Sequence, residues 1–522
     1  MFLIKKIRVG VALLIFFFLS VLFLDFAEVV PRQFHALAHL QLTSAMLNPI
    51  FVLIIAWFGA TLLFGRIYCS TVCPLGTLQD ILIRIAKGVR GRKFKFQFQP
   101  EMKWTRYTFL GLFIIGLAGL PILVSLLDPY SHFGRIVTWI VRPLVIAGNN
   151  VLAGTLKGQF HFVPNYISGI AFFAAFAVFL LVAALAVLAG RRYCNTICPV
   201  GTLFGIFAKY SIVRIRIREN CKSCRLCEKN CKGECINGIT KTIDSSRCIA
   251  CFNCLSVCKL NAIGYGLTRT EPLPSVDLPP LQSQVVMSRR SLLSWSVMAF
   301  LFPSLVKAET NKKQLMETNS SLPRGQSVIG YVMNDPIVPP GARSLHHFRK
   351  RCTACHLCIS KCPSNILIPS TTELGLAGFL QPIMKFEHGF CNYDCTICGE
   401  VCPPRAIHAL SKEQKHRIQV GEVVFLQDNC VVQTQETSCG ACAEHCPTGA
   451  VQMVPFGNAG SLLTIPQIET ELCIGCGACE HICPVTPYRA IYVKGLVNHG
   501  EAKAAYDPNE KQQEVKLDDF GF

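Results

Sequence analysis

The sequence is poor in negative charge. Its 522 residues include 32 Asp and Glu against 51 Lys and Arg, a formal net charge of +19. Such an excess can indicate a nucleic-acid-binding protein, but here the cations cluster beside long apolar runs rather than along one soluble helix face. The charge is therefore interpreted as a topology signal, and no nucleic-acid partner is predicted. The apolar runs contain few carboxylates, which argues against an ion-pump subunit.

The sequence also lacks the motifs of common catalytic chemistry. No phosphate-binding glycine loop, flavin fingerprint, or serine or cysteine triad stands out, so any reaction is expected to reside in bound redox cofactors. Disulfides are not expected from the 29 cysteines, because these fall in tight runs with the ligand spacing of bacterial ferredoxins. Structural zinc sites use two separated pairs instead, so the runs favour iron–sulfur clusters over zinc.

The first two hundred residues are predicted to form a membrane domain. Four apolar stretches have close to the ~20 residues needed to cross hydrocarbon: residues 9–27, 48–65, 108–127 and 166–189. The loop after the second stretch is rich in Lys and Arg, whereas the loop at 128–165 carries few. The positive-inside rule then puts the N-terminus and the segment after the fourth stretch in the cytoplasm.

A further apolar run at 292–306 follows a twin arginine, Ser288-Arg289-Arg290, that is typical of a Tat export signal. The alternative is a basic flank on an ordinary short helix, because a run of about 15 residues is marginal for a span. If this helix crosses, the rest of the chain lies outside; if it lies on the surface, that part stays inside. We predict an uncleaved anchor in a bacterial inner membrane and a periplasmic C-terminal domain.

A sequence repeat accompanies the predicted spans. Gly65-Arg-Ile-Tyr-Cys-Ser-Thr-Val-Cys-Pro-Leu-Gly-Thr-Leu78 recurs at 190–203 with ten of fourteen positions identical. Because each copy follows the second helix of a pair, an axis along the membrane normal should relate the two copies. This symmetry is expected to bring together the four thiols that are our candidate catalytic residues: Cys69, Cys73, Cys194 and Cys198. They could ligate a cluster or metal, cycle between dithiol and disulfide, or lie beside a quinone; packing at a helix end is the alternative.

The segment after the fourth span has the spacing of a two-cluster ferredoxin. In such proteins three cysteines of one run and the last cysteine of the other hold each cluster. The first predicted set is Cys221, Cys224, Cys227 and Cys258. The second is Cys248, Cys251, Cys254 and either Cys231 or Cys235. Spacing favours Cys231, although Lys232 stands where a proline is usual.

Four more cysteine runs follow, and a proline comes after the last cysteine of each: Cys352, Cys355, Cys358, Cys362; Cys391, Cys395, Cys398, Cys402; Cys430, Cys439, Cys442, Cys446; and Cys473, Cys476, Cys479, Cys483. With four iron ligands to a cluster, the whole chain should hold about six [4Fe–4S] clusters, with iron as the metal and one surplus cysteine.

The order of these motifs resembles a fusion of NapH-like and NapG-like (MauM/NapG family) ferredoxin-type quinol dehydrogenase subunits, which are linked to periplasmic nitrate reductase. Residues 1–265 are similar to NapH in their four spans, two Cys-x-x-x-Cys-Pro motifs and ferredoxin segment. Residues 287–495 are similar to NapG in the twin arginine, Pro339-Pro-Gly-Ala342 and Cys446-Pro-Thr-Gly-Ala450. The resemblance implies quinol as substrate, with the quinone pool and a periplasmic reductase or other acceptor protein as partners.

By analogy with four-run electron-transfer subunits, we expect the C-terminal runs to exchange their fourth ligands in a nested order. This order gives Cys352, Cys355, Cys358 with Cys483; Cys391, Cys395, Cys398 with Cys446; Cys430, Cys439, Cys442 with Cys402; and Cys473, Cys476, Cys479 with Cys362.

The predicted fold is an α-helical membrane domain, with four spans plus a fifth anchor helix, and two α+β ferredoxin-like domains. The predicted boundaries are 1–210 for the membrane domain, 211–265 for a cytoplasmic two-cluster ferredoxin, 266–310 for a linker and anchor, 311–348 for a linker, 349–495 for a four-cluster ferredoxin, and 496–522 for a polar tail.

The predicted function is membrane-bound electron transfer from menaquinol or another quinol to a periplasmic reductase. Polar residues near the outer helix ends are candidates for the quinol site: Glu28, His35, His39, Asp128 and His132. The alternative is an assembly or regulatory protein for a terminal reductase or oxidase, but six clusters on two sides of a membrane favour a conduit.

Overall fold

The computed structural model describes residues 2–26, 29–91, 95–155, 161–267, 335–457 and 462–503. Three helices in this part of the chain are long and apolar enough to cross a membrane: Leu3–Leu24, Pro129–Thr155 and Gly169–Ala189. The chain therefore has the properties of a membrane protein, as the apolar stretches predicted. The predicted Tat-like segment and the anchor at 292–306 lie outside the described residues.

The helices of the membrane domain and of the repeats are numbered in chain order: α1 Phe2–Leu24, α2 Ala36–His39, α3 Leu42–Leu47, α4 Phe51–Phe64, α5 Ile67–Thr71, α6 Pro74–Arg90, α7 Lys103–Ala118, α8 Pro121–Leu127, α9 Pro129–Ile136, α10 Arg142–Thr155, α11 Gly169–Ala189, α12 Arg192–Thr196 and α13 Pro199–Ala208. A π turn at Val137–Val141 joins α9 to α10.

Two predicted spans differ from the observed helices. The second, α4, has only 14 residues. The third is divided into α7 and α8 at Gly119 and Leu120, and Pro121 begins α8 at a position where its missing N–H costs nothing.

The segment 128–165, predicted to be a loop, contains the long helix Pro129–Thr155. Two charged residues at the start of this segment are buried with hydrogen-bonding partners. Asp128 caps the helix by accepting from the Ser131 amide at 2.8 Å. Arg135 donates to the Ser125 carbonyl at 2.6 Å. Burial is tolerated because these groups are hydrogen-bonded.

The two cysteine-rich parts consist of short helices, two-stranded sheets and long loops. The first contains β1 Val213–Ile217, α14 Leu226–Lys229, β2 Ile236–Asn237, β3 Thr242–Ile243, α15 Asn253–Val257 and β4 Ile263–Leu267. Strands β1 and β4 pair antiparallel with Val213 opposite Leu267, and β2 pairs with β3. This pairing brings the ends of the segment together, so its two cysteine runs face each other.

The C-terminal part contains the helices Leu345–Arg351, Leu357–Lys361, Ile397–Glu400, Lys412–Arg417, Val431–Gln435, Ala441–Glu444 and Ala478–Ile482. Its strands are β5 Leu367–Pro369, β6 Pro382–Met384, β7 Ile418–Phe425, β8 Val451–Pro455, β9 Thr464–Ile468 and β10 Ile491–Glu501. They form the antiparallel pairs β5–β6, β7–β10 and β8–β9. The longest pair, β7–β10, joins the last strand to the centre of this domain.

The two cysteine-rich parts contact opposite ends of α1. Near its start, the Lys5 ammonium donates to the Ser256 hydroxyl at 3.0 Å. Just beyond its end, Asp25 forms an ion pair with Lys361 at 2.5 Å, with both side chains buried. A helix of 23 residues is about 34 Å long at 1.5 Å per residue, which is enough to cross the hydrocarbon of a bilayer.

Candidate thiol and iron–sulfur sites

Each copy of the repeat begins where an apolar helix ends. Gly65 and Gly190 end α4 and α11 with φ of 77° and 63°, a conformation that favours glycine. A one-turn helix follows, and Pro74 or Pro199 then opens the next helix at its first position. The repeat therefore encodes two sharp turns in 14 residues, with the first cysteine in the one-turn helix between them and the second at the N-cap of the next helix.

Reciprocal hydrogen bonds from arginine side chains join the two copies of the repeat. Arg66 donates to the carbonyl of Cys194 at 3.0 Å, and Arg191 donates to the carbonyl of Cys69 at 2.5 Å. Both guanidinium groups are fully buried. Glycines let the arginines approach, since a Cβ at Gly76 would lie 2.8 Å from the Arg191 guanidinium. The structure thus pairs the two copies in the way that the sequence repeat predicted.

All four repeat thiols are buried within this interlocked pair. They lie near enough to one another to interact electrostatically, Cys73 with Cys69 and Cys194, and Cys198 with the other three. The Gln79 amide lies 3.3 Å from the Cys194 sulfur, and the Gly201 amide 3.4 Å from that of Cys198. Donors of this kind stabilise negative charge on sulfur, as a metal-bound or redox-active thiolate requires. The sequence repeat did not indicate a role for Gln79, because the second copy has no glutamine at the corresponding position.

The quinol-site candidates are separated by the structure. Asp128 and His132 are buried together in the interior, and the His132 ring lies 6.3 Å from the ring of Tyr193, the residue before Cys194. His39 instead contacts the Pro403 carbonyl at 3.1 Å, where the C-terminal domain docks. His35 is also buried near that contact. Glu28 lies outside the described residues.

Two tyrosine hydroxyls add to the polarity of this interior. Among the described residues, the buried hydroxyls of Tyr130 and Tyr193 have no hydrogen-bond partner. Buried polar groups without partners are costly, so they are commonly satisfied by water or a ligand. These hydroxyls, with Asp128 and His132, define an interior polar cluster next to the repeat thiols.

In the first cysteine-rich segment, five thiols line one cavity: Cys231, Cys235, Cys248, Cys251 and Cys254. Both candidates for the fourth ligand of the second set are therefore present at the same place. Cys221 and Cys224 lie near Cys227, as the first set requires. The Cys258 sulfur accepts from the Ala262 amide at 3.3 Å.

The nested exchange expected for the C-terminal runs is wrong, because the structure groups neighbouring runs. Cys402, and not Cys483, lies with the first run, whereas Cys483 lies with the third. The groups are Cys352, Cys355, Cys358, Cys402; Cys391, Cys395, Cys398, Cys362; Cys430, Cys439, Cys442, Cys483; and Cys473, Cys476, Cys479, Cys446.

Neighbouring runs group together because the short helices that carry them pack on each other. Helix Leu357–Lys361 packs on Ile397–Glu400, and Ala441–Glu444 packs on Ala478–Ile482. Each pair forms the two halves of one compact unit, so the chain crosses between neighbouring runs as in a two-cluster ferredoxin. The pKa of Cys442 is raised to about 12, mainly by burial and to a smaller extent by the neighbouring thiols. Grouped sulfurs of this kind ionise together only when bound metal cations offset their charge.

The C-terminal domain contacts the membrane domain directly at its first thiol group. A Cβ at Gly134 of α9 would lie 2.3 Å from the Cys355 carbonyl, so only glycine allows this approach. In the π turn, the Trp139 indole donates to His356 at 2.6 Å. The Tyr166 and His388 rings stack at 4.1 Å. Residues 132–139 therefore lie between the repeat thiols and the C-terminal thiols.

Comparison with known proteins agrees with these sites. A family model described as a 4Fe–4S binding domain matches residues 48–97 and 171–218, which contain the two copies of the repeat. A second, described as a 4Fe–4S dicluster domain, matches residues 437–487. No solved structure matches the chain.

Several curated proteins are similar to parts of the chain. The ferredoxin-type protein NapF of Escherichia coli is 29% identical over 30% of this chain and 85% of its own length. The methylamine utilization ferredoxin-type protein MauM of Methylobacillus flagellatus is 29% identical over 28% of this chain and 62% of its own length. The ferredoxin-type protein NapG of Escherichia coli is 26% identical over 28% and 64%. With its cysteine-lined sites, the chain is a ferredoxin-type 4Fe–4S electron-transfer protein related to the Nap and Mau ferredoxins.

Proposed function

We propose that the protein is a membrane-bound conduit that oxidises a quinol and delivers the electrons to a periplasmic reductase of the nitrate-reductase type. In this proposal the chain corresponds to NapH-like and NapG-like subunits joined in one polypeptide. The segment 211–265 is cytoplasmic and the domain 349–495 is periplasmic. The contacts at the two ends of α1, Lys5 with Ser256 and Asp25 with Lys361, support this sidedness.

The observation that carries the proposal is the position of the repeat thiols between the two cysteine-rich parts. On one side, the Arg191 amide donates to the Lys232 carbonyl of the first ferredoxin segment at 2.8 Å. On the other side, Tyr193 faces His132, and α9 continues two residues later to the Gly134 contact with Cys355. An assembly factor would not need redox sites arranged in sequence from one end of the membrane domain to the other.

We propose that each thiol group of the ferredoxin parts holds one [4Fe–4S] cluster, about six in all. The chemistry of the donor sets fits, because three closely spaced cysteines and one from the neighbouring run surround each site. When bound, such clusters supply one-electron transfer. The repeat thiols also fit a shared cluster with two ligands from each copy, since each segment that resembles a 4Fe–4S binding domain contains only two cysteines of the repeat.

The interior polar cluster is the proposed quinol site. Quinol oxidation releases two protons for every two electrons, so a site needs proton acceptors beside an electron acceptor. Asp128 provides a buried carboxylate near Tyr193, the residue that precedes Cys194. The His132 ring also lies beside Tyr193, and its Nδ1 accepts from Arg135 at 3.0 Å. The unpartnered hydroxyls of Tyr130 and Tyr193 can donate to quinone oxygens.

The repeat thiols provide the test. Each of Cys69, Cys73, Cys194 and Cys198 is replaced singly by alanine, and all four together, in full-length protein reconstituted in lipid vesicles. Reduction of the C-terminal clusters by a menaquinol analogue is then followed by EPR. We expect each single change to slow reduction about as much as the quadruple change, because groups that act as one unit are strongly non-additive.

Two controls distinguish this result from misfolding. Thr71 lies between two of the thiols in the sequence, and its replacement, Thr71→Ala, should leave quinol-dependent reduction unchanged. The EPR signals of the C-terminal clusters after chemical reduction should be the same in all variants, since those clusters are built from other residues. If every single variant still oxidises quinol at the wild-type rate, the thiols only pack a helix end and the proposal fails.

A further inference from the structure

The cavity in the first ferredoxin segment contains one thiol more than a cubane cluster needs. Cys231 and Cys235 both line it together with Cys248, Cys251 and Cys254. The sulfurs of Cys231 and Cys235 are 3.5 Å apart, and both are buried. Terminal thiolates on two different irons of a cubane point to different corners and are much farther apart than this. The two thiols therefore compete for one iron.

The loop that carries both thiols is held by the membrane domain. The Lys232 ammonium pairs with Asp80 at 3.0 Å, and the Lys232 carbonyl accepts from the Arg191 amide at 2.8 Å. The Gly233 carbonyl accepts from Asn195 at 2.9 Å. Glu234 pairs with Arg192 at 2.9 Å. Each residue between the two cysteines is thus fixed to an element outside the ferredoxin segment.

These contacts explain why the segment departs from the usual Cys-Pro pattern. A proline at position 232 would lack the ammonium that reaches Asp80. Because the loop is fixed along its length, its two end cysteines stay beside the cavity whichever of them binds iron. A thiol that served only as packing would not need to face the other cluster ligands, yet Cys235 also lies within hydrogen-bonding reach of Cys248.

We propose that Cys231 and Cys235 are alternative fourth ligands to a single cluster held by Cys248, Cys251 and Cys254. In the exchange, the bond from iron to one sulfur breaks and the bond to the other forms. The proton of the incoming thiol passes to the outgoing thiolate, so charge and electrons balance. The inference rests on the proposed cluster in this segment. It gives the cluster beside the loop 231–235 two ligation states.

The experiment uses full-length protein made and purified without oxygen, with iron counted per chain and EPR spectra of the reduced protein. Alanine replaces Cys231, Cys235, both together, or Cys248, because a serine oxygen could itself bind iron. We expect each single change at 231 or 235 to keep the wild-type iron content. The double change and Cys248→Ala should each lose about four irons, or about one if a three-iron cluster remains.

The outcomes separate the possible failures. If one of the two single changes loses iron like Cys248→Ala and the other does not, the site has one fixed ligand and the exchange is refuted. Loss in both single variants refutes it as well, because both thiols would then be required. If Cys248→Ala also keeps its iron, no cluster is bound there, and it is the proposed cluster assignment that fails. Unchanged EPR signals from the C-terminal clusters show that the C-terminal domain of each variant is folded.

Discussion

Asp80 is expected to hold the ferredoxin segment to the membrane domain. It forms ion pairs with Arg191 at 2.8 Å and with Lys232 at 3.0 Å, and Arg8 of α1 lies 3.6 Å away. Burial acts to raise the pKa of Asp80, but Arg191 and Lys232 hold that pKa well below its usual range. The carboxylate therefore stays ionised at neutral pH and links three elements of the chain.

The change Asp80→Asn removes this charge with little change in shape. Arg191 has 0% of its side chain exposed, Arg8 7% and Lys232 14%, so water cannot replace the lost partner. Removing one partner of a buried ion pair leaves uncompensated charge and typically costs about 3–5 kcal/mol. We expect a loss of that size in the free energy of unfolding, with the ferredoxin segment released first.

The assay is denaturant unfolding in detergent micelles, followed by the visible absorbance of the iron–sulfur clusters. Glu501→Gln is the matched control, because the Arg417–Glu501 pair is 59% and 70% exposed and such pairs contribute about 0–1 kcal/mol. Adding Lys232→Met to Asp80→Asn should recover part of the lost stability, because it removes one of the buried cations that Asp80→Asn leaves without a carboxylate partner. A cost below about 1 kcal/mol for Asp80→Asn would refute the reasoning, since it would show that the cations are already solvated.

Two further predictions concern the C-terminal domain. Lys385 and nearby backbone amides outweigh burial and lower the pKa of Glu373 to about 2. Ionised Glu373 therefore stabilises the folded state above the pKa of about 4.3 that the group has in the unfolded chain. This stabilisation is lost as the pH falls towards 2. Glu373→Gln should lower the free energy of unfolding by about 1 kcal/mol at pH 7, allowing for the partial exposure of the pair. In chemical unfolding, the difference in stability between the variant and wild type should become smaller below about pH 5. A difference that does not change with pH would contradict the ion-pair explanation. Trp139→Phe leaves the buried His356 nitrogen without a hydrogen-bond partner and should weaken docking of this domain by about 1–3 kcal/mol. The weaker docking should be seen as faster proteolysis at the interface. An unchanged rate of proteolysis would show that this hydrogen bond does not hold the domain.

Local features of the sequence were enough to predict the chemical class of the protein and much of its organisation. Cysteine spacing is local, so the runs predicted iron–sulfur sites without any knowledge of the fold. Long apolar stretches predicted membrane helices at α1 and α11 for the same reason. The repeat also predicted correctly that Cys69 and Cys194 would come together, because similar segments after similar helices imply a symmetric pair.

Contacts between distant residues depend on tertiary packing and could not be predicted from local sequence. Fourth-ligand pairing depends on which helices pack together, and the packing of neighbouring runs replaced the nested order with Cys402 beside Cys352 and Cys483 beside Cys430. The segment 128–165 was predicted to be a loop, but Asp128 and Arg135 are buried there with hydrogen-bonding partners and the segment forms a long helix. The same packing brings Asp128 close to Tyr193. Asp80 carries no local signal, since its importance comes from three cations that lie far apart in the chain and converge only when the membrane domain and the ferredoxin segment are packed together.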